Sequence, residues 1–240
     1  MTFAVISDIH SNLEALAETR NYIINREDIE ETIILGDLVG YGANPNECIR
    51  LCRKISNNII LGNHDLAAVN PNTRLFFNIF AARAAEWTEN VLELEYVSYL
   101  KNLPLTLNRS RYLFVHSSPD NPEEWLYVSN YREAEVQFEA FKQDICFIGH
   151  SHIPVVFVEN EQPLRGEGKH YLSRDKRYII NVGSIGQPRD RNPKLSFAIF
   201  NENEWSVEYV RLDYNVKKSA GKILKAGLPS PLAERLFFGH

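Results

Sequence analysis

Residues able to hold metal ions fall, group after group, directly behind short apolar runs, and this placement limits the folds open to the chain. Thr2 to Ser7 is followed by Asp8 and His10. Thr32 to Leu35 is followed by Gly36-Asp37-Leu38-Val39-Gly40, and Asn58 to Leu61 by Gly62-Asn63-His64-Asp65. Tyr112 to Val115 leads into His116, and Ile145 to Ile148 into Gly149-His150-Ser151-His152. Each run is short and rich in β-branched or aromatic residues, so each reads as a strand. In an open α/β sheet, ligands bind beyond the carboxyl ends of the strands. Five of the seven histidines stand at such ends, with only His170 and His240 elsewhere. Singly, each has an ordinary structural explanation: Asp8 can cap a helix beginning near Asn12, and Gly62-Asn63 can be a turn. Their joint occurrence in one order favours a shared site.

The remaining pattern sets the architecture. Further strands are expected at Val155 to Val158, Tyr178 to Val182, Leu195 to Phe200 and Ser206 to Leu212. Helical spacing appears over Asn12 to Asn25. It appears again over Pro45 to Ile55, where Asn44 is a candidate N-cap before a proline at the first helical position. Alternation of strand and helix marks an α/β chain. Few helices separate the strands after Val155, so that half is expected to be mostly antiparallel. Residues 66–107 read as a helical insert after the third strand, and Asn215 to His240 as two short helices broken at Gly227-Leu228-Pro229. The patch Gly166 to Lys169 reads as a hairpin loop. The whole is expected to be one domain, residues 1–240.

Composition excludes several classes. A formal charge of -5 argues against a dedicated nucleic-acid binder, which carries a basic stripe. No stretch approaches the ~20 apolar residues of a membrane span, and MTFAVISDIH lacks the features of a signal peptide. Cys48, Cys52 and Cys146 have no disulfide or zinc spacing, so they read as small buried hydrophobes in a reducing, cytoplasmic compartment.

The set Asp8-x-His10, Gly36-Asp37, Gly62-Asn63-His64-Asp65, His116 and Gly149-His150-x-His152 resembles the calcineurin-like metallophosphoesterase superfamily. The tract Asn181 to Asp190 and the tail Leu228 to Arg235 look like a small bacterial branch grouped with diadenosine tetraphosphatase-related proteins. The resemblance implies a four-layer α/β/β/α sandwich, with two mixed sheets flanked by helices. It implies that Asp8, His10, Asp37 and His152 hold one metal ion and that Asp37, Asn63, His116 and His150 hold a second. Asp37 then bridges, and His64 stays outside the ligand set, facing the leaving oxygen.

Such residues suit the chemistry. Two divalent ions about 3.5–4 Å apart share a water and lower its pKa, so that a bridging hydroxide attacks phosphorus. Imidazole, carboxylate and amide donors favour manganese, iron or zinc over magnesium. Two ions against two carboxylates leave the centre positive, which draws phosphate to an acidic protein. The expected substrate is a small phosphate ester, a nucleotide or phosphodiester among them. Two alternatives are a phosphoprotein phosphatase and a non-catalytic scaffold that uses the metal pocket as a binding surface. The phosphoprotein phosphatases of the superfamily carry Gly-Asp-x-x-Asp-Arg-Gly. Here Gly40 and Tyr41 replace the Asp-Arg pair, which weakens the first alternative and leaves the residue that orients His64 open, with Asp65 a candidate. The presence of His64 weakens the second. Arg189, in the Gly-rich loop Gly183 to Arg189, is a candidate phosphate ligand or a partner for Asp190. Asn12, Tyr41 and Ser117 either contact substrate or support their turns. Phe76, Phe77, Phe80 and Trp87 either wall a base site or pack the insert.

Overall fold

The computed structural model describes all 240 residues. Its strands are β1 (Thr2–Ile6), β2 (Glu31–Ile34), β3 (Asn58–Ile59), β4 (Thr106–Asn108), β5 (Tyr112–Val115), β6 (Ile145–Ile148), β7 (Val155–Val158), β8 (Gly168–Tyr171), β9 (Tyr178–Asn181), β10 (Leu195–Asn201) and β11 (Ser206–Leu212). They form two sheets, ordered β3-β2-β1-β10-β11-β8 and β4-β5-β6-β9-β7. The helices are α1 (Leu13–Ile24), α2 (Pro45–Ile55), α3 (Asn63–Val69), α4 (Ile79–Val91), α5 (Leu94–Lys101), α6 (Tyr131–Gln137), α7 (Val216–Lys225) and α8 (Ser230–Glu234).

The period of two along each strand builds the layers. Phe3 and Val5 of β1 join Phe114, Phe147 and Ile180 of the opposite sheet in the core between the sheets. Ala4 and Ile6 face the other way, into a core with Leu16 of α1 and Cys48, Ile49 and Cys52 of α2. On the far side Leu113, Cys146 and Ile148 meet Ala134 of α6 and Phe138. Strands covered on both faces carry apolar residues at every position, which is why β1, β5 and β6 read as continuous runs rather than alternating ones. Burial of each large side chain contributes roughly 1.5–3 kcal/mol. The result is the expected α/β/β/α sandwich of two mixed sheets.

The pairing places the site. β1, β2 and β3 run parallel, as do β5, β6 and β9. All the site-bearing loops therefore leave their strands at one end of the sandwich. Beyond Val155 the strands β7, β8, β10 and β11 pair antiparallel, as expected, while β9 lies parallel to β6.

Three details differ from the sequence reading. Gly168 and Lys169, read as hairpin loop, belong to β8, an edge strand paired with β11. Its sequence GKHY is half exposed, so backbone pairing rather than an apolar pattern makes it a strand. Thr106 and Leu107, at the end of the helical segment, form β4 against β5. Asn44 stands at the N-cap of α2, but its side chain makes no cap bond and instead accepts from Lys222 Nζ at 2.7 Å. The cysteines are buried and free.

Candidate metal centre

The loops at the strand ends are bonded to each other through their backbones. Asp8 N donates to Gly36 O at 3.2 Å, His10 N to Asp37 O at 2.9 Å, and Gly186 N to Asp8 O at 2.8 Å. Seven of the twelve non-glycine residues with positive φ stand here: Asp8, His10, Ser11, Asp37, Tyr41, His150 and His152. Left-handed backbone disfavours side chains and persists where the surroundings enforce it, commonly at functional sites. Glycines make room for the carboxylates. A Cβ on Gly62 would collide with the Asp37 carboxylate, and one on Gly149 would lie 2.6 Å from Asp8 Oδ2.

Two overlapping groups of candidate ligands result: Asp8, His10, Asp37 and His152, and Asp37, His116 and His150. In each group the ligand atoms lie within 4.8 Å of one another. Asn63 joins the second group, with Oδ1 3.2 Å from His116 Nε2. Asp37 belongs to both: its Oδ2 is 3.5 Å from His10 Nε2 and 3.3 Å from His116 Nε2.

Hydrogen bonds fix which atoms face inward. His10, His116 and His152 each set Nδ1 against a backbone carbonyl, of Val39 at 3.2 Å, Leu35 at 2.7 Å and Gln187 at 2.6 Å. A carbonyl only accepts, so Nδ1 carries a proton and Nε2 is the atom turned into the cluster, its lone pair free to coordinate in the neutral ring. His150 is reversed. Its Nε2 donates to Trp125 O at 2.9 Å, which leaves Nδ1 as the lone-pair atom. One oxygen of each carboxylate is anchored: Asp8 Oδ2 accepts from His150 N at 3.1 Å and Asp37 Oδ1 from His64 N at 2.8 Å. The other oxygens, Asp8 Oδ1 and Asp37 Oδ2, are buried without a hydrogen-bond donor.

The electrostatics follow from this packing. Burial pushes the Asp8 carboxyl up, but the imidazoles of His152 and His116 pull it further, to well below the usual carboxylate range. Asp37 behaves alike, burial being outweighed by His116, His64 and His10. Burial holds His10 far below the ordinary imidazole value and lowers His150 to about 3. His152 is lowered by burial and then by Arg189. His116 alone rises, to about 9: burial lowers it, but Asp37 and Asp8 outweigh that. Orphaned carboxylate oxygens facing convergent lone pairs in a buried space fit divalent cations.

His64 has 5% exposure and borders this cluster. Burial lowers it to about 4, so the ring is neutral at pH 7. Its Nδ1 is buried without a partner against Gly40, where a Cβ would lie 2.6 Å away. Packing orients the ring: Tyr41 and Phe77 lie 4.4 and 4.6 Å from it, and His10 4.9 Å, between centroids. Asp65 does not orient His64. Its oxygens accept from Val39 N and Gly62 N, both at 3.1 Å, tying α3 to the Asp37 loop. Burial, then the Asp37 charge, push Asp65 up to about 8.

Arg189 does not pair with Asp190, whose partner is Arg211. It reaches Tyr41 Oη at 3.3 Å and Gln187 Oε1 at 3.1 Å. Asn12 has a structural use. It caps α1 through Ala15 N at 3.2 Å, donates to Gly186 O at 2.9 Å, and does not line the cavity described next. Ser117 likewise supports its turn, donating to Pro122 O at 3.2 Å.

A cavity of about 610 Å³ opens on the His64 and His150 side, lined by Tyr41, Asn63, Phe76, Phe77, Trp125 and Tyr127 among others. Trp87 is not in this wall and packs with Tyr41, α7 and α8 instead. Phe80 is also absent from the lining. Trp125 and Tyr127 come from the loop before α6, which the sequence reading passed over. Tyr127 stacks on His150 with centroids 4.0 Å apart. Two neighbouring aromatics in a polar loop were the available signal.

Helix-flanked paired sheets that gather buried aspartates and histidines at one edge define a metal-binding hydrolase class. Residues 1–204 match the calcineurin-like phosphoesterase superfamily domain. The chain belongs to that superfamily and is a phosphoric ester hydrolase. An uncharacterised protein of Methanocaldococcus jannaschii is 44% identical over 242 residues, spanning 99% of this chain and 98% of that one. A symmetrical bis(5'-nucleosyl)-tetraphosphatase of Actinobacillus pleuropneumoniae is 28% identical over 212 residues, 82% of this chain and 72% of that protein. The crystal structure of a metallophosphoesterase from Sphaerobacter thermophilus aligns with a TM-score of 0.88 at 35% identity, covering 100% of this chain and 99% of that one. No helix here is long and apolar enough to cross a membrane.

Proposed function

We propose that the chain hydrolyses a small phosphate ester or a nucleotide phosphoanhydride at a pair of divalent cations held by its strand-end loops. Asp8, His10, Asp37 and His152 hold one ion; Asp37, Asn63, His116 and His150 hold the other. Manganese, iron or zinc suits this donor set. The observation that carries the reading is Asp37 Oδ2, a buried oxygen without a donor that lies within 3.5 Å of imidazole nitrogens from both groups.

When bound, the ions supply positive charge for the phosphoryl oxygens and acidify water. The chain's own residues do the rest. Loop backbones in strained conformations hold the ligands in place before substrate arrives, which is electrostatic preorganisation. His64, neutral and fixed between Tyr41, Phe77 and Gly40, offers an N–H to the departing oxygen. The aromatic cavity falls within the roughly 300–1,000 Å³ of small-molecule sites and takes the organic part of the substrate. The nucleotide assignment draws on the tetraphosphatase relative and on that aromatic wall. Residues 1–240 act as one domain, with the 66–107 insert walling the cavity. Free buried thiols suit a cytoplasmic setting.

The test is a substrate panel. Manganese-loaded protein should turn over bis-p-nitrophenyl phosphate, p-nitrophenyl phosphate or dinucleoside polyphosphates; inactivity on all three rejects the reading. Preferential turnover of phosphopeptides would instead favour a protein phosphatase.

A further inference from the structure

Arg189 and Arg235 reach one spot from distant parts of the chain, and neither meets a carboxylate. Arg189 lies in the loop after β9, and Arg235 opens the 3-10 turn Arg235–Phe237 behind α8. Arg189 Nη2 lies 3.1 Å and Arg235 Nη1 3.2 Å from the same atom, Gln187 Oε1. Guanidinium groups only donate, so this one oxygen accepts from both and bridges two like charges. Their guanidinium carbons stand 5.8 and 5.9 Å from the centre of the Tyr41 ring. Other partly buried arginines differ: Arg211 meets Asp190, Arg177 meets Glu159, and Arg109 meets Glu31.

Unmet donors gather at the same place. Arg235 Nε is buried without an acceptor, and so is the Nε2 of Gln187, a residue with 1% exposure. Two cations that share one acceptor and meet no carboxylate repel one another. Oxygens of a phosphate relieve both the repulsion and the missing bonds, and the planar fork of a guanidinium matches them.

The spot adjoins the metal cluster. Gln187 O accepts from His152 Nδ1 at 2.6 Å, and the Tyr41 ring lies 4.6 Å from that of His10. The aromatic cavity, which opens past His64 and His150, shares Tyr41 with this spot.

We propose that Arg189 and Arg235 clamp a phosphoryl group linked to the one being hydrolysed, so that the preferred substrates carry at least two linked phosphoryl groups. This rests on the phosphoesterase reading and specifies its substrate class. The clamp takes no part in bond breaking; it orients the neighbouring phosphoryl group. Tyr41 sets the spacing between the two arginines.

The test compares ligands with one and two phosphorus atoms. Calorimetry on the manganese-loaded chain measures affinity for imidodiphosphate, which resists hydrolysis, and for inorganic phosphate. Arg235→Ala should weaken imidodiphosphate at least tenfold more than phosphate, with Arg235→Lys in between. In turnover, kcat/KM on tripolyphosphate should fall at least tenfold more than on bis-p-nitrophenyl phosphate. Arg235→Gln carries the test should the alanine variant not fold. If wild type hydrolyses nothing yet imidodiphosphate binding depends on Arg235, the clamp stands and the hydrolase reading fails. Equal losses for one- and two-phosphorus ligands, or no loss, overturn the clamp.

Discussion

The Nε2 atoms of His10 and His152 lie 3.1 Å apart while both Nδ1 atoms are bonded to backbone carbonyls. Two neutral imidazoles fixed in this way point lone pairs at each other, with the free oxygen of Asp8 3.2 Å from His152 Nε2. A cation held by both would turn repulsion into coordination, and its removal would restore the conflict inside a buried site.

Chelation should therefore lower stability. Ligand linkage at a concentration 100 times Kd contributes about 2.7 kcal/mol. For a chain of this size that is a loss of about 5–11 °C in melting temperature. Differential scanning fluorimetry with chelator, then with added manganese or zinc, checks the fall and its recovery. An unchanged melting point would count against a structural hold by metal.

His64→Ala should reduce kcat by roughly 10²–10³, the usual scale for losing one donor to a developing oxyanion. Metal content by elemental analysis should stay at the wild-type level, because His64 lies outside both ligand groups. The loss should grow as the leaving group becomes more basic, since a poor leaving oxygen needs the donor most.

Gly40→Ala should imitate that variant. Its φ of +92° disfavours a side chain, and a Cβ would strike the His64 ring. The expected outcome is displaced His64 and a fall in kcat with metals retained. Wild-type rates in Gly40→Ala would show that the position of the ring is unimportant.

Metal affinity should rise with pH up to about 9. In the metal-free protein His116 is raised to about 9, so it is charged at pH 7 and must release a proton to coordinate. Below pH 9 each unit of acidification should cost about tenfold in affinity from this one proton. The metal-free fold shows the opposite trend: the raised His116 stabilises it fully below about 6.5, the unfolded value, and this is lost as pH rises through 9. Calorimetry in buffers of different ionisation heats measures the released proton.

Tyr127→Ala removes the ring stacked on His150 and part of the cavity wall. Aromatic pairs contribute about 0.5–1.5 kcal/mol, so KM for adenine-bearing substrates should rise about 2–10-fold. Steady-state kinetics against a methyl phosphodiester, which has no ring to stack, isolates the effect.

Much of this molecule was legible before folding because its signals are local. Strands buried on both faces appear as apolar runs, and β1, β2, β5 and β6 each deliver their Asp or His one to three residues later. The edge strand β8 was not legible, since half-exposed GKHY is held by pairing with β11 and carries no pattern. Asp65 illustrates a different failure. It neighbours His64 in sequence, yet the turn into α3 aims its oxygens at Val39 N and Gly62 N.

The amino-acid sequence alone determined the layered α/β architecture and the edge at which aspartates and histidines collect, because strand period and strand ends are read within a few residues. Only the tertiary structure decided which nitrogen of each imidazole faces inward and that Gly40 and Tyr41 hold His64. It also decided that Trp125 and Tyr127 wall the cavity and that Arg235 meets Arg189 across 46 positions of sequence. Those outcomes depend on hydrogen bonds and packing between segments far apart in the chain, and no local pattern encodes such distances.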